Sequence, residues 1–198
     1  MGYEYFNPDK QWSWEELDDL TGHVEGLLTW NMKGYIETVK MGYDVVVYDP
    51  LDYVEFVKRP KEYISEKFNP AYAEENFRLS DMDRAVADAK DLLATKGLNI
   101  YSRSYELDEY RNLLDSGYLV TTWVDGAIIY CWANRCWPHS ILVFGYDENG
   151  IVAHDPGGDD VANQKPNRHI AWDVFEKANK INDKGERGEI LAFRKALL

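Results

Sequence analysis

Apolar residues recur at helical spacing from Met1 to about Gly117 and in short runs separated by turn residues after that, which divides the chain into two regions of different character. Ser13, followed three residues later by Glu16, has the capping-box spacing that opens a helix, and Gly22 ends it. Met32, Tyr35, Ile36 and Val39 share the face of a second helix that stops at Gly42. A strand from Tyr43 to Tyr48 follows, broken by Asp49-Pro50. Tyr53 to Lys67 and Pro70 to Asn76 read as surface helices, and Ser80 to Thr95 carries Met82, Ala85, Val86, Ala89, Leu92 and Leu93 on one face. Glu106 to Leu114 is a further short helix, ended by Gly117.

The second region predicts a meander of strands at Tyr118 to Val124, His139 to Tyr146, Ile151 to His154 and Glu189 to Arg194. Asn149-Gly150 lies between two apolar runs, and both residue types tolerate positive φ, so the strands on either side are expected to pair antiparallel through a tight turn. Trp172 to Lys180 reads as a helix with Val174, Phe175 and Ala178 inward. Helices first and an antiparallel sheet second make the fold class α+β.

Composition narrows the function classes. With 198 residues, 45% of them hydrophobic and 14% aromatic, the chain has enough apolar mass for one globular domain, residues 1–198. A formal net charge of -13, from 35 acidic against 22 basic side chains, argues against nucleic acid as a partner, because phosphate binding needs a basic surface. No run of about 18 apolar residues is present and the N-terminus lacks a secretory pattern, so the expectation is a cytoplasmic protein with no membrane partner. Cys131 and Cys136 are too few for a disulfide framework and read as free thiols. Repeats are absent, no cofactor is implied, and nothing fixes the oligomeric state.

One constellation can carry chemistry. The predicted hairpin brings His139, at the start of one strand, and Asp155, just past the end of its partner, to the same end of the sheet. A histidine whose second nitrogen is held by a carboxylate is the base half of a Cys-His-Asp or Ser-His-Asp site. Spacing alone does not define a site, since a histidine and an aspartate flanking a hairpin are commonly structural. Trp137-Pro138 gives His139 a rigid aromatic approach.

The other chemical residue types read more plainly. Cys131 and Cys136 lie in a connection beside Trp132 and Trp137, away from any helix N-terminus, and are expected as buried or partly buried small hydrophobes. With His139 and His154 they do not match a structural zinc spacing, so no metal is assigned. Gln11, Gln164 and the pair Asp159-Asp160 read as solvated surface.

The run His139-Ser140-Ile141-Leu142-Val143-Phe144-Gly145-Tyr146-Asp147, then Gly150 and His154-Asp155-Pro156-Gly157, resembles the bacteriocin-processing (double-glycine) peptidase-like branch of the papain-fold cysteine peptidases. In that family an apolar strand opens on Gly-His and ends in Gly-Tyr-Asp, and the next strand ends in Asn-Asp-Pro or His-Asp-Pro. The likeness extends to Gly117-Tyr118-Leu119-Val120, to Asn167 through Asn179, and to Tyr5 through Leu17, which in relatives directly follows the nucleophile helix. It implies a papain-like fold, a helical N-terminal half packed on a C-terminal antiparallel sheet, and thiol peptidase chemistry on a peptide bond. His139 would be the general base and acid and Asp155 its orienting carboxylate; apart from the resemblance, the aromatic residues Trp137 and Trp132 are candidates for substrate binding.

The chain departs from the family pattern in having neither the Cys-Gly-Pro motif at the start of a long helix nor the oxyanion-hole glutamine before it; Met1 to Phe6 looks like the tail of that helix. Three explanations stand: a native start upstream of Met1, a degenerate relative that only binds, or another cysteine as nucleophile. The resulting expectations are a cysteine peptidase-like protein, inactive as given, or a non-catalytic module that binds a peptide or protein through Tyr130, Trp132 and Trp137.

Overall fold

The computed structural model describes residues 2–131, 137–157, 165–180 and 185–196. In chain order these form α1 (Gly2–Phe6), α2 (Trp14–Thr21), α3 (Met32–Lys40), β1 (Tyr43–Tyr48), α4 (Tyr53–Lys58), α5 (Pro60–Lys67), α6 (Pro70–Leu79), α7 (Met82–Ala94) and β2 (Leu98–Tyr101). They continue with α8 (Leu107–Asp115), β3 (Leu119–Asp125), α9 (Gly126–Ile129), β4 (Pro138–Tyr146), β5 (Gly150–Asp155), β6 (Lys165–Ala171), α10 (Trp172–Ala178) and β7 (Ile190–Lys195). The protein is mixed α+β. Two compact units emerge, one comprising Met1–Phe6, Val46–Pro50 and Ile100–Arg194, the other Asn7–Val45, Leu51–Asn99 and Lys195–Leu198.

The second of these is the helical unit, with α2 to α7. The capping box of α2 is complete: Glu16 N–H donates to Ser13 Oγ at 3.1 Å and Ser13 N–H to Glu16 Oε2 at 2.8 Å. Gly22 ends the helix in the left-handed region at φ 72, where a side chain would be strained. The single helix expected over Tyr53 to Lys67 is two, because Pro60 has no N–H and forces Arg59 out of helical geometry (φ -147, ψ 65) before α5 begins. On α7, Ala85, Ala89 and Leu92 are buried as their spacing requires, whereas Leu93, one residue on and about 100° further round, is 47% exposed. Phe56 and Ile64 are fully buried, and Trp30 stacks on Phe56 with centroids 5.2 Å apart.

The sheet unit holds α1 and α8 to α10 with a sheet of order β2-β1-β7-β3-β4-β5-β6, in which β1 and β2 are the strands through which the chain passes between units. β3, β4, β5 and β6 are antiparallel neighbours in succession, and β7 lies antiparallel on the other side of β3. The buried face carries Val120, Val124, Ile141, Val143, Ile151, Ala153 and Ile170, covered by Phe175 and Ala178 of α10 and Tyr110 of α8. α8 therefore belongs with the sheet, although its position in the chain groups it with the helices. At α1, Tyr3 and Phe6 set their rings on Phe193 of β7, at 5.4 and 5.9 Å. That packing supplies what a five-residue helix cannot supply for itself.

Two features depart from the expected meander. β6 occupies the free edge of the sheet with most of its side chains exposed, and its polar run with Pro166 lacks the alternation that marks a strand. The β4–β5 hairpin pairs antiparallel as expected, but neither Asn149 nor Gly150 has positive φ. The turn is held by Asp147, whose Oδ1 accepts from Asn149 N at 2.7 Å and Gly150 N at 3.0 Å. Glycine is needed at 150 for closeness: a Cβ there would lie 2.1 Å from the Ile170 carbonyl oxygen. None of the helices among the described residues is long and apolar enough to cross a membrane.

Candidate functional site

Register brings the site together. Val143 opposes Ala153 across β4 and β5, and Leu142 opposes His154, so one further step sets Ile141 opposite Asp155. Side chains alternate between faces, which leaves His139, Ile141, Val143, Ala153 and Asp155 on the same buried face. His139 and Asp155 are then diagonal neighbours within reach of one another. His139 Nε2 lies 2.8 Å from Asp155 Oδ1, with the two side chains only 6% and 0% exposed. Asp155 is the last residue of β5 rather than a residue beyond it.

Four donors converge on the Asp155 carboxylate. Oδ1 accepts from the Tyr130 hydroxyl at 2.6 Å and from the Gly157 N–H at 2.9 Å in addition to the imidazole. Oδ2 accepts from Arg168 Nη1 at 2.6 Å. Burial alone would raise the carboxyl pKa, but the bonds from Tyr130, His139, Arg168 and Gly157 outweigh it and hold Asp155 below its ordinary value. The same burial, with the neighbouring Asp155 charge, pushes the Tyr130 phenol well up, so it stays a donor. An ionised carboxylate only accepts, so in neutral His139 the proton sits on Nε2. Nδ1 then carries the lone pair, and it has no hydrogen-bond partner among the described residues.

Aromatic packing fixes the ring. Trp137 stacks on His139 with centroids 4.9 Å apart and planes 8° from parallel, and Tyr130 leans on both. Trp137 is anchored by its backbone: its N–H donates to Asp125 Oδ1 at 2.9 Å and its carbonyl accepts from Gly126 N at 2.8 Å. A Cβ at Gly126 would lie 2.2 Å from Trp137 Cε3 and 3.2 Å from the His139 Cβ, so glycine there is what allows the indole to approach. Asp125 also caps α9 by accepting from Ala127 N at 2.9 Å, which sets the short turn that ends at Tyr130.

Of the residues singled out from sequence, His139, Asp155, Trp137 and Tyr130 meet at this site. Trp132, Cys136, Asp159, Asp160 and Gln164 lie outside the described residues. Cys131 is exposed, with φ 56, beyond the C-terminal end of α9, not the buried small hydrophobe its neighbours predicted. Among the described residues its Sγ reaches only the Ile128 carbonyl, at 4.0 Å. Gln11 is exposed as expected. His154 points to the face opposite Asp155 and packs on Phe144 at 4.6 Å. Among the described residues no three His, Cys, Asp or Glu side chains gather as a metal site. His23 and His169 each sit beside an aspartate, Asp18 and Asp147, on the surface.

Sequence reasoning missed Arg168 altogether. It opposes Ala153 across β5 and β6, and the register slips by one residue between that pair and Asp155↔Lys165, with Asn167 at φ 60 in the bulge. Nothing local in Lys165-Pro166-Asn167-Arg168 signals that geometry. No protein-family model matches the chain, and no curated protein or solved structure matches it.

Proposed function

We propose that the protein is a papain-fold cysteine peptidase relative, of the bacteriocin-processing (double-glycine) peptidase-like branch, that keeps the base half of the site, with no nucleophile positioned to use it among the described residues. The supporting observation is the 2.8 Å bond between His139 Nε2 and Asp155 Oδ1, which leaves Nδ1 as the only ring nitrogen able to take a proton. In a complete site of this class the imidazole takes the proton of a thiol, the thiolate attacks a peptide carbonyl, and the imidazolium returns the proton to the leaving amine. Among the described residues the steps after proton acceptance have no agent: Cys131 makes no bond to His139, and its thiol lies beyond the wrong end of a helix for activation. On this reading the protein does not cleave peptide bonds through Cys131.

Alkylation with iodoacetamide, read residue by residue in the mass spectrum, tests this. Cys131 and Cys136 should react at the same rates in wild type and His139→Ala, and peptides ending in Gly-Gly should not be cleaved. A rate for either thiol that falls tenfold or more in His139→Ala, accompanied by cleavage in wild type, would restore the enzyme. A second reading, a module that binds a peptide or protein without cleaving it, draws on the Trp137 and Tyr130 rings packed beside His139. It predicts saturable binding of such peptides that weakens in Trp137→Ala.

A further inference from the structure

We propose that Arg168 is a positioning residue for the His139–Asp155 pair, holding one oxygen of Asp155 so that the other is offered to the imidazole. The inference rests on His139 serving as the base, and goes beyond it by assigning a residue that acts only through Asp155.

Arg168 faces Ala153 directly, so its side chain rises on the face that also carries Asp155 two residues further along β5. The bulge at Asn167 turns the edge strand at that point, and the long side chain covers the remaining diagonal to Oδ2, at 2.6 Å. Only 16% of the Arg168 side chain is exposed. Its guanidinium also lies over the Tyr130 ring, 4.6 Å from the centroid, while the Tyr130 hydroxyl donates to Oδ1. Arg168, Asp155 and Tyr130 thus close a three-membered loop in which each fixes the next.

That loop does something the His139–Asp155 bond cannot do alone. A carboxylate held at one oxygen can still rotate about Cβ–Cγ and exchange its oxygens. Held at Oδ2 by Arg168 and at Oδ1 by Tyr130 and Gly157, it has a fixed plane, and the lone pair facing Nε2 is fixed with it. The role suits arginine, whose flat guanidinium can pair with a carboxylate along its edge while stacking its face on a ring; a lysine ammonium is a point charge without that planar fork.

The test is the ring tautomer of neutral His139, read from its two nitrogen resonances in uniformly labelled protein. Wild type should favour Nε2–H over Nδ1–H by about tenfold or more, the preference expected from one hydrogen bond to a charged acceptor. In Arg168→Met that preference should fall at least threefold, and in Arg168→Lys it should fall by less. Arg168→Lys also serves where Arg168→Met does not fold. A purely structural arginine would lower stability without moving the tautomer, so folded variants that keep the wild-type ratio overturn the inference and leave the proposed function intact. Wild-type protein with Nδ1–H dominant would overturn the proposed function itself, whatever the variants show.

Discussion

The Asp155 cluster and the Asn179 cluster are both buried in the sheet unit, yet they are closed in different ways. Asn179, at the end of α10, accepts from the Tyr105 hydroxyl and donates to the Trp123 carbonyl and to Thr122 Oγ1, while its backbone N–H and carbonyl bond to Phe175 and Gly188. All its polar groups are used, and all its partners are neutral. The Asp155 cluster is charged, is built from an ion pair, and ends on an imidazole nitrogen with no bond among the described residues. Asn179 is satisfied within the fold, whereas His139 keeps a directed lone pair, the arrangement a base requires.

The sharpest way to break this contrast is to remove a charge. Arg168→Met leaves the Asp155 carboxylate buried without its cation and should destabilise the protein by about 3–5 kcal/mol at neutral pH, measured by denaturant unfolding. Asn179→Ala strands the Trp123 carbonyl and the Tyr105 hydroxyl, and should cost about 3 kcal/mol while leaving the His139 tautomer untouched. Tyr130→Phe removes one bond to a charged acceptor and should cost about 1.5–3 kcal/mol. If Asn179→Ala moved the tautomer as much as Arg168→Met, the two clusters would not be separate devices.

Acid separates the clusters in another way. Asp155 has a folded pKa below the ordinary carboxyl value of about 3.9, so it favours the folded state fully above that pH, and the contribution is lost as pH falls through the folded value. Wild type should therefore lose stability more steeply than Asp155→Asn below about pH 4. The neutral Asn179 cluster adds no such slope, and Asn179→Ala should keep the wild-type steepness.

What could be read from sequence was whatever is encoded locally. Ser13, Glu16 and Gly22 announce both ends of α2 through bonds within one turn of their own positions, and the hairpin that joins β4 to β5 follows from a turn between two apolar runs. His139 and Asp155 were legible because that hairpin fixes which end of the sheet they share. The break at Arg59 follows from the Pro60 ring, which the apolar pattern of Tyr53 to Lys67 masks. Arg168 was invisible because its reach to Asp155 depends on pairing with a distant strand and on a one-residue slip at Asn167. β6 itself hides for a related reason: an edge strand with mostly exposed side chains carries little of the alternation that burial imposes.

The central claim is that Asp155 orders the His139 imidazole so that Nδ1 is the free base. Nitrogen resonances of the neutral ring in wild type and in Asp155→Asn test it most directly, because an amide can turn a donor toward Nε2 where the carboxylate cannot. The account predicts Nε2–H favoured by about tenfold or more in wild type and a ratio much nearer even in Asp155→Asn. The same ratio in both proteins would contradict it.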